Sequence, residues 1–269
     1  MIYDCFSYWD EDLLLDLRFT ILDKHIDFFV IVEGTKTWQN NPKPLRFDIK
    51  KFQRFKNKII YIPITDMPGG EDPYLRENYQ RNSISRGLKN AKDNDIILIS
   101  DLDEIPNPNS LKNFNQKMRY ATFKQKHFYY KFNLQSNNYP FWNGTKACVK
   151  KYLKSPQWLR DLKFKKRPFW RIDKIRLNNI IEDGGWHFCN LKTPENLLYK
   201  YKNLCETNDP IHFKESIDPK YLKLEEVKKR VVSGEDIIGR KDNFIKVKLD
   251  NSFPEYLTKN KVKYKDWII

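Results

Sequence analysis

Ile96-Ile97-Leu98-Ile99-Ser100-Asp101-Leu102-Asp103-Glu104-Ile105-Pro106 is an apolar run that ends in three carboxylates within four residues. A buried strand ends in that much negative charge when a cation binds, or a proton moves, at its tip. Working outward, Phe28-Phe29-Val30-Ile31-Val32 and Lys58-Ile59-Ile60-Tyr61-Ile62 are continuous apolar runs of the kind a sheet covered on both faces requires. Residues 2–8 read as another strand. Helical signals lie between the strands, over 10–25 with Asp10 as cap, near 48–56, and over 74–91. Strands alternating with helices imply a mainly parallel sheet with right-handed crossovers. Beyond Pro106 a helix near 109–119 leads to aromatic, alternating segments at 121–134 and 141–149 that predict antiparallel ribbons. Later helices fit 194–205 and 220–232. No Gly/Ser/Pro-rich linker interrupts the 269 residues, so one α/β domain is expected, with halves at 1–106 and 107–269.

The formal charge is +15, a positive field that attracts nucleotides, nucleic acid or an anionic membrane face. It is diffuse, with short clusters at Lys163-Phe164-Lys165-Lys166-Arg167 and over 223–230 that read either as solvated surface or as a phosphate-facing patch. Aromatics, 15% of the residues, suit packed layers and flat-ligand stacking equally. Cys5, Cys148, Cys189 and Cys205 show no Cys-x-x-Cys pairing and no zinc spacing, so free thiols are expected. No run approaches the ~20 apolar residues of a membrane span, and a strand beginning at Ile2 leaves no room for a signal peptide. The expected location is the cytoplasm, with peripheral contact at the inner membrane face.

Ligands of open parallel sheets bind outside the carboxyl ends of the strands. Glu33 ends one apolar run, Asp101 and Asp103 end another, and Glu182-Asp183 follow a candidate strand at 177–181. Asp101 and Asp103 are two apart, so on an extended chain they leave one face and can grip one cation. Carboxylate oxygens suit Mg2+ or Mn2+, which keep positions open for diphosphate. The competing reading has Asp101 capping the helix after Pro106 or pairing with an arginine. Glu104 stays open between base, supporting group and helix cap.

Residues 96–101 span about 20 Å at ~3.3 Å each, which a helix covers in about 13 residues. Counting back from Lys92 places Glu77, Gln80 and Arg81 level with Asp101, either as site architecture or as a surface ion pair. In Gly184-Gly185-Trp186-His187-Phe188, the glycines allow close backbone approach to a ligand and Trp186 offers a flat face. His187 offers a metal ligand or acid/base, or is a core histidine before a strand.

Together with Tyr3-Asp4-Cys5-Phe6, Phe29-Val30-Ile31-Val32-Glu33, Gln80-Arg81 and Ser252-Phe253-Pro254-Glu255-Tyr256-Leu257, these two clusters resemble glycosyltransferase family 17 from near Tyr3 to the C-terminus. The resemblance implies a GT-A-like fold, a nucleoside-diphosphate sugar donor such as UDP-GlcNAc, and inverting transfer. It sets Asp101-Leu102-Asp103 at the metal-diphosphate motif, with Mn2+ or Mg2+ held by Asp101, Asp103 and His187. Residues 1–106 become the donor half and 107–269 the acceptor half. On this resemblance Glu33 contacts the nucleoside and Arg81 supports the donor, beside Glu77, Gln80, Asp101 and Trp186. Glu182, Asp183 and Glu104 are base candidates by charge and position. The implied acceptor is an oligosaccharide or lipid-linked glycan. A glycoprotein in a secretory lumen is not expected, because the chain lacks the membrane anchor of the animal Golgi enzymes. Where many bacterial-type members carry His-x-Glu, this chain reads Cys205-Glu206-Thr207. Two alternatives use the same residues differently. A metal-dependent nucleotidyltransferase or phosphodiesterase would employ Asp101, Asp103 and Glu104, and a non-catalytic nucleic-acid binder would account for the charge but not for acids at strand ends.

Overall fold

In the computed structural model, which describes residues 1–164, 179–207 and 217–269, the run 96–101 is the innermost strand of the parallel half of a mixed sheet. The first half contributes β1 (Ile2–Ser7), α1 (Asp12–Leu22), β2 (Phe28–Gly34), β3 (Ile59–Ile64), α2 (Pro73–Asn82) and β4 (Ile96–Asp101). Strand β1 lies between β2 and β4, and β3 lies outside β2, all parallel. The second half contributes β5 (Glu104–Pro106), α3 (Pro108–Leu111), β6 (Tyr120–Tyr129), β7 (Leu134–Ser136), β8 (Phe141–Val149) and α4 (Pro156–Asp161). After these come β9 (Ile180–Cys189), α5 (Pro194–Tyr201), α6 (Leu224–Ser233), β10 (Phe244–Lys246) and α7 (Glu255–Lys259). Strand β8 joins β4 antiparallel, β6 joins β8, and β7 and β10 complete that edge. Strand β9 runs parallel to β6 and antiparallel to β5. The outcome is one mixed α/β sheet in which the parallel order stops at β4.

Alternation explains the layers. Phe29 and Ile31 pack on one face of β2 with Phe6, Phe19 and Leu98, beneath α1 and α7. Val30 and Val32 pack on the other with Ile84, Leu88, Ile97 and Ile99, beneath α2. Both faces are dry, as the continuous apolar runs require. All four cysteines are free, and no helix of the described residues is long and apolar enough to cross a membrane.

Several elements differ from expectation for local reasons. Asp10 does not cap α1, because it pairs with Lys192 and Arg46, and the Glu11 carboxylate accepts the Trp9 and Asp10 amides. The helix at 74–91 is α2 followed by a 3-10 stretch, Ser83–Leu88. The Ser83 hydroxyl bonds back to the Tyr79 carbonyl, a contact that weakens an α-turn. The stretch near 48–56 is also 3-10, Ile49–Lys58, and 109–119 shrinks to α3 and Gln116–Met118. Residues 177–178 of the candidate strand 177–181 lie outside the described residues, as do Lys165, Lys166, Arg167 and His212. Strand β9 begins at Ile180 and carries Glu182 and Asp183 inside it, so these acids do not end a strand.

The tip of β4 is held by one buried cation. Arg18 on α1 is fully buried and grips Asp4 of β1 through Nε and Nη2, at 2.7 and 2.5 Å. Its Nη1 donates to the carbonyls of Asp101, Leu102 and Glu104 at 2.9–3.1 Å, and Nη2 also reaches Ser100 Oγ. The guanidinium thus satisfies backbone acceptors that an unsupported turn would leave unpaired. Arg18→Met strands the Asp4 carboxylate and is expected to cost about 3–5 kcal/mol in urea unfolding. An Asp4→Leu/Arg18→Met double variant should recover part of that loss. A single variant within about 1 kcal/mol of wild type would show that the clamp is dispensable.

Candidate active site

Strand β4 stops at Asp101 and β5 starts at Glu104, so the acidic residues occupy a tight corner. Strand β5 pairs with β9 through Glu104 with His187, Ile105 with Trp186 and Pro106 with Gly185, and the Phe188 amide donates to the Asp103 carbonyl at 2.9 Å. The two dense sequence clusters are therefore welded into one unit. The glycines serve that weld, not ligand approach. A Cβ at Gly184 would stand 2.6 Å from the Lys124 nitrogen, and one at Gly185, with φ +130°, would stand 2.1 Å from the Ile105 carbonyl oxygen.

Helices α2 and α4 close the corner. Each begins with a capping residue and a proline, Asp72-Pro73 and Ser155-Pro156. Asn82 of α2 accepts the Gln157 amide of α4, and Arg81 donates to the Gln157 side chain. Arg160 of α4 then reaches Glu104 with both Nη atoms at 2.7 Å, and Asp101 Oδ2 at 2.7 Å. Arg81 touches the other Asp101 oxygen at 3.3 Å and holds Glu77 at 2.8 Å. The Glu77, Gln80 and Arg81 positions thus stand level with Asp101, as the helix rise requires, and the arginine pairing considered for Asp101 is observed twice over. Burial opposes ionisation of Asp101, but Arg160 and then Arg81 hold its carboxyl below the ordinary range.

Asp103 is likewise held low, against burial, by His187, whose Nε2 lies 3.5 Å from Oδ1. The reverse holds for His187: burial disfavours its charge, yet Asp103 raises it well above the usual imidazole value. Its ring stacks on His127 at 4.7 Å, and His127 is lowered to about 3 by burial and then by the His187 charge.

Two cavities meet at this corner. The first, about 300 Å3, is walled by Tyr8, Trp9 and Trp38 beyond β1 and β2, by Glu77, Gln80 and Arg81, by Asp101 and Asp103, and by His187, Lys200 and Tyr201. The second, about 910 Å3, is walled by Trp142 and Lys146 of β8, Arg160 of α4 and Lys163. Tyr74, Glu77, Arg81 and Asp101 belong to both. Both sizes suit small-molecule sites. The first cavity draws on both halves of the chain, so the division at 106 does not separate its walls.

Several expected site residues lie elsewhere. Glu33 is fully buried and lines neither cavity: its carboxylate is consumed by Lys43, the Arg46 and Phe47 amides and Tyr61, which pin the loop after β2. Trp186 is buried in the core with its Nε1 on the Ser252 carbonyl, so it offers no stacking face. Glu182 is an exposed partner of Lys124, and Asp183 accepts from Asn107 beside the start of α3; neither is among the described residues that line these two cavities. Glu104 is fully buried and accepts Arg160 twice, Trp142 Nε1 and the Asp101 amide. With four donors on one carboxylate it has no lone pair left for a substrate proton. Glu33, Glu182, Asp183 and Trp186 therefore line neither of these cavities, and of the three readings left open for Glu104 the geometry shows the supporting group. Arg160, Trp142, Lys146, Trp9, Trp38 and Tyr201 were not singled out in the sequence; for Arg160 the Ser155-Pro156 helix start was the available signal.

A divalent cation fits the donor set. Asp101 remains 42% exposed while each oxygen makes one charged contact, which leaves lone pairs free, and Asp103 faces the first cavity. Hard oxygens of this kind match Mg2+ or Mn2+. His187 is adjacent, but as the proton-bearing partner of Asp103 it would ligate only after losing that proton.

Residues 1–244 match the sequence model described as glycosyltransferase family 17. The β-1,4-mannosyl-glycoprotein 4-β-N-acetylglucosaminyltransferase of Homo sapiens is 26% identical over 70% of this chain and 40% of its own length. Its Rattus norvegicus counterpart is 26% identical over 70% and 39%, and that of Mus musculus 25% over the same shares. The chain spans about two fifths of the length of these curated relatives.

Lys146 generates a pH prediction. Burial, then Arg160, lower its ammonium to about 8, with Glu104 opposing. Between about 8 and its ordinary 10.5 the unfolded chain binds a proton that the folded chain does not, so stability rises with pH there. Urea midpoints of wild type and Lys146→Met should therefore shift in favour of wild type from pH 7.5 to 10. A pH-independent difference would refute the lowered value.

Proposed function

Because the chain belongs to glycosyltransferase family 17, and so is a glycosyltransferase, we propose that it moves N-acetylglucosamine from UDP-GlcNAc to a glycan acceptor, with inversion, in a GT-A-like fold. The observation that carries this reading is the meeting of two cavities at Asp101. An aromatic-walled cavity beyond β1 and β2 suits a nucleoside and sugar, and lies where open parallel sheets bind nucleotides. The larger, cationic cavity is left for the acceptor. Residues 1–106 then supply about half of the donor cavity's lining and 107–269 the rest, while 107–269 supply most of the acceptor cavity's. Family membership displaces the nucleotidyltransferase and nucleic-acid-binding alternatives. The charge of +15 and the free thiols support work in the cytoplasm beside an anionic membrane face, on an oligosaccharide or lipid-linked glycan.

Inverting transfer is one in-line displacement. The acceptor oxygen bonds to the anomeric carbon, the bond from that carbon to the diphosphate oxygen breaks with its electron pair leaving on the diphosphate, and the acceptor proton passes to a base. Among the described residues Glu77 and Asp101 are the carboxylates common to both cavities, and Asp101 is committed to two arginines. Glu77 is therefore assigned the proton. It is oriented by Arg81 and by the thiol of Cys205, which burial and then Glu77 itself keep protonated. Arg81 and Arg160 orient Asp101 and offer fixed positive charge to the departing diphosphate. Mn2+ or Mg2+, held by Asp101 and Asp103, would add Lewis-acid neutralisation of that leaving group.

UDP-GlcNAc should raise the melting temperature with Mn2+ present and much less without it, and Asp103→Ala should remove the metal-dependent part. No shift with any of a panel of sugar nucleotides would sink the reading. Glu77→Gln is expected to lower kcat about 10^2–10^4-fold while UDP binding persists. An unchanged kcat would exclude Glu77 as base.

A further inference from the structure

The second cavity contains an ammonium with no ion pair among the described residues. Lys146 on β8 is only 6% exposed, yet its ammonium bonds just two neutral acceptors, Thr122 Oγ1 at 3.0 Å and the Asn143 carbonyl at 3.2 Å. It has no carboxylate partner among the described residues. The ring of Phe164, which also lines this cavity, lies 4.9 Å from the ammonium and offers it only a π face; a buried cation with no directly paired anion is costly. Neighbouring Arg160 does not share this shortage, being matched by Asp101 and Glu104. Lys163 adds an exposed positive charge to the same cavity.

Beside Lys146 stands a fixed aromatic plane. Trp142 is 41% exposed, and its indole nitrogen is tied to Glu104 at 2.7 Å, so its orientation is set by the same carboxylate that sets Arg160. A half-exposed indole held rigid is a platform for the apolar face of a pyranose ring. A platform with an unmatched ammonium beside it selects a ring that carries an anionic substituent.

Resting on the glycosyl-transfer reading of the site, we propose that the second cavity is an acceptor subsite for an acidic glycan, with Trp142 under the sugar ring and Lys146 on its carboxylate or phosphate. The shared edge at Glu77 and Asp101 leaves a hydroxyl of that sugar facing the donor cavity. The lowered value of Lys146 agrees with a group awaiting its counter-ion.

The test compares an aryl β-glucuronide, an aryl β-glucoside 6-phosphate and the neutral aryl β-glucoside as acceptors, with nucleoside diphosphate release as readout and the donor chosen by the panel above. The acidic glycosides should show KM values about tenfold or more below the neutral one. The better of the two identifies carboxylate or phosphate as the group recognised. Lys146→Met should bring the ratio near one with the donor KM unchanged, and Lys163→Ala, an exposed position that does not threaten folding, should narrow it. Equal KM values in wild type, or a ratio that survives both variants, would overturn the proposal while leaving glycosyl transfer intact. A raised donor KM in Lys146→Met with the ratio kept would also overturn it, placing the donor diphosphate in this cavity. No donor turnover with any glycoside, and no sugar-nucleotide binding, would instead remove the glycosyl-transfer reading on which it rests.

Discussion

The buried guanidinium of Arg18 decides where the chemistry can happen. It neutralises Asp4 beneath the sheet and spends its remaining donors on the carbonyls of Asp101, Leu102 and Glu104. The corner between β4 and β5 is therefore shaped by α1, 83 or more residues earlier in the chain, before any substrate arrives. With the backbone set, Asp101 and Asp103 project toward the first cavity while Glu104 turns inward. Pairing of β5 with β9 then brings His187 against Asp103.

Charge balance divides the acids by role. Glu104 gathers Arg160, Trp142 and the Asp101 amide, and so aligns a cation, an aromatic plane and a strand end with one carboxylate. Asp101 is held by two arginines yet keeps solvent access. Lys146, on the neighbouring strand β8, has no ion pair among the described residues and is met by Thr122, the Asn143 carbonyl and the Phe164 ring.

The parallel half was legible because strands covered on both faces must be apolar throughout, and 28–32 and 96–100 are. The level of Arg81 with Asp101 followed from the fixed rise of helix and strand. The misread positions share one cause: a carboxylate or glycine in a sequence does not declare its partner. Glu33 looked like a strand-end ligand, but four donors from Lys43, Arg46, Phe47 and Tyr61 had claimed it. Gly184 and Gly185 looked like ligand clearance, but the clearance is for β6 and β5. Glu182 and Asp183 looked terminal because β9 was read as ending where it had barely begun.

By itself the sequence determined the α/β alternation, the acidic end of β4, the facing stripe of α2 and the resemblance to a glycosyltransferase family, since each depends on local periodicity or on ordered motifs. Tertiary structure alone decided which acids remain unburied, that Arg160 and Lys146 line the second cavity, and that two cavities share Asp101. Those outcomes depend on pairings across long sequence separations, such as Arg160 with Glu104 and Arg18 with Asp4. Whether a buried charge is spent or free is a property of its neighbours in space.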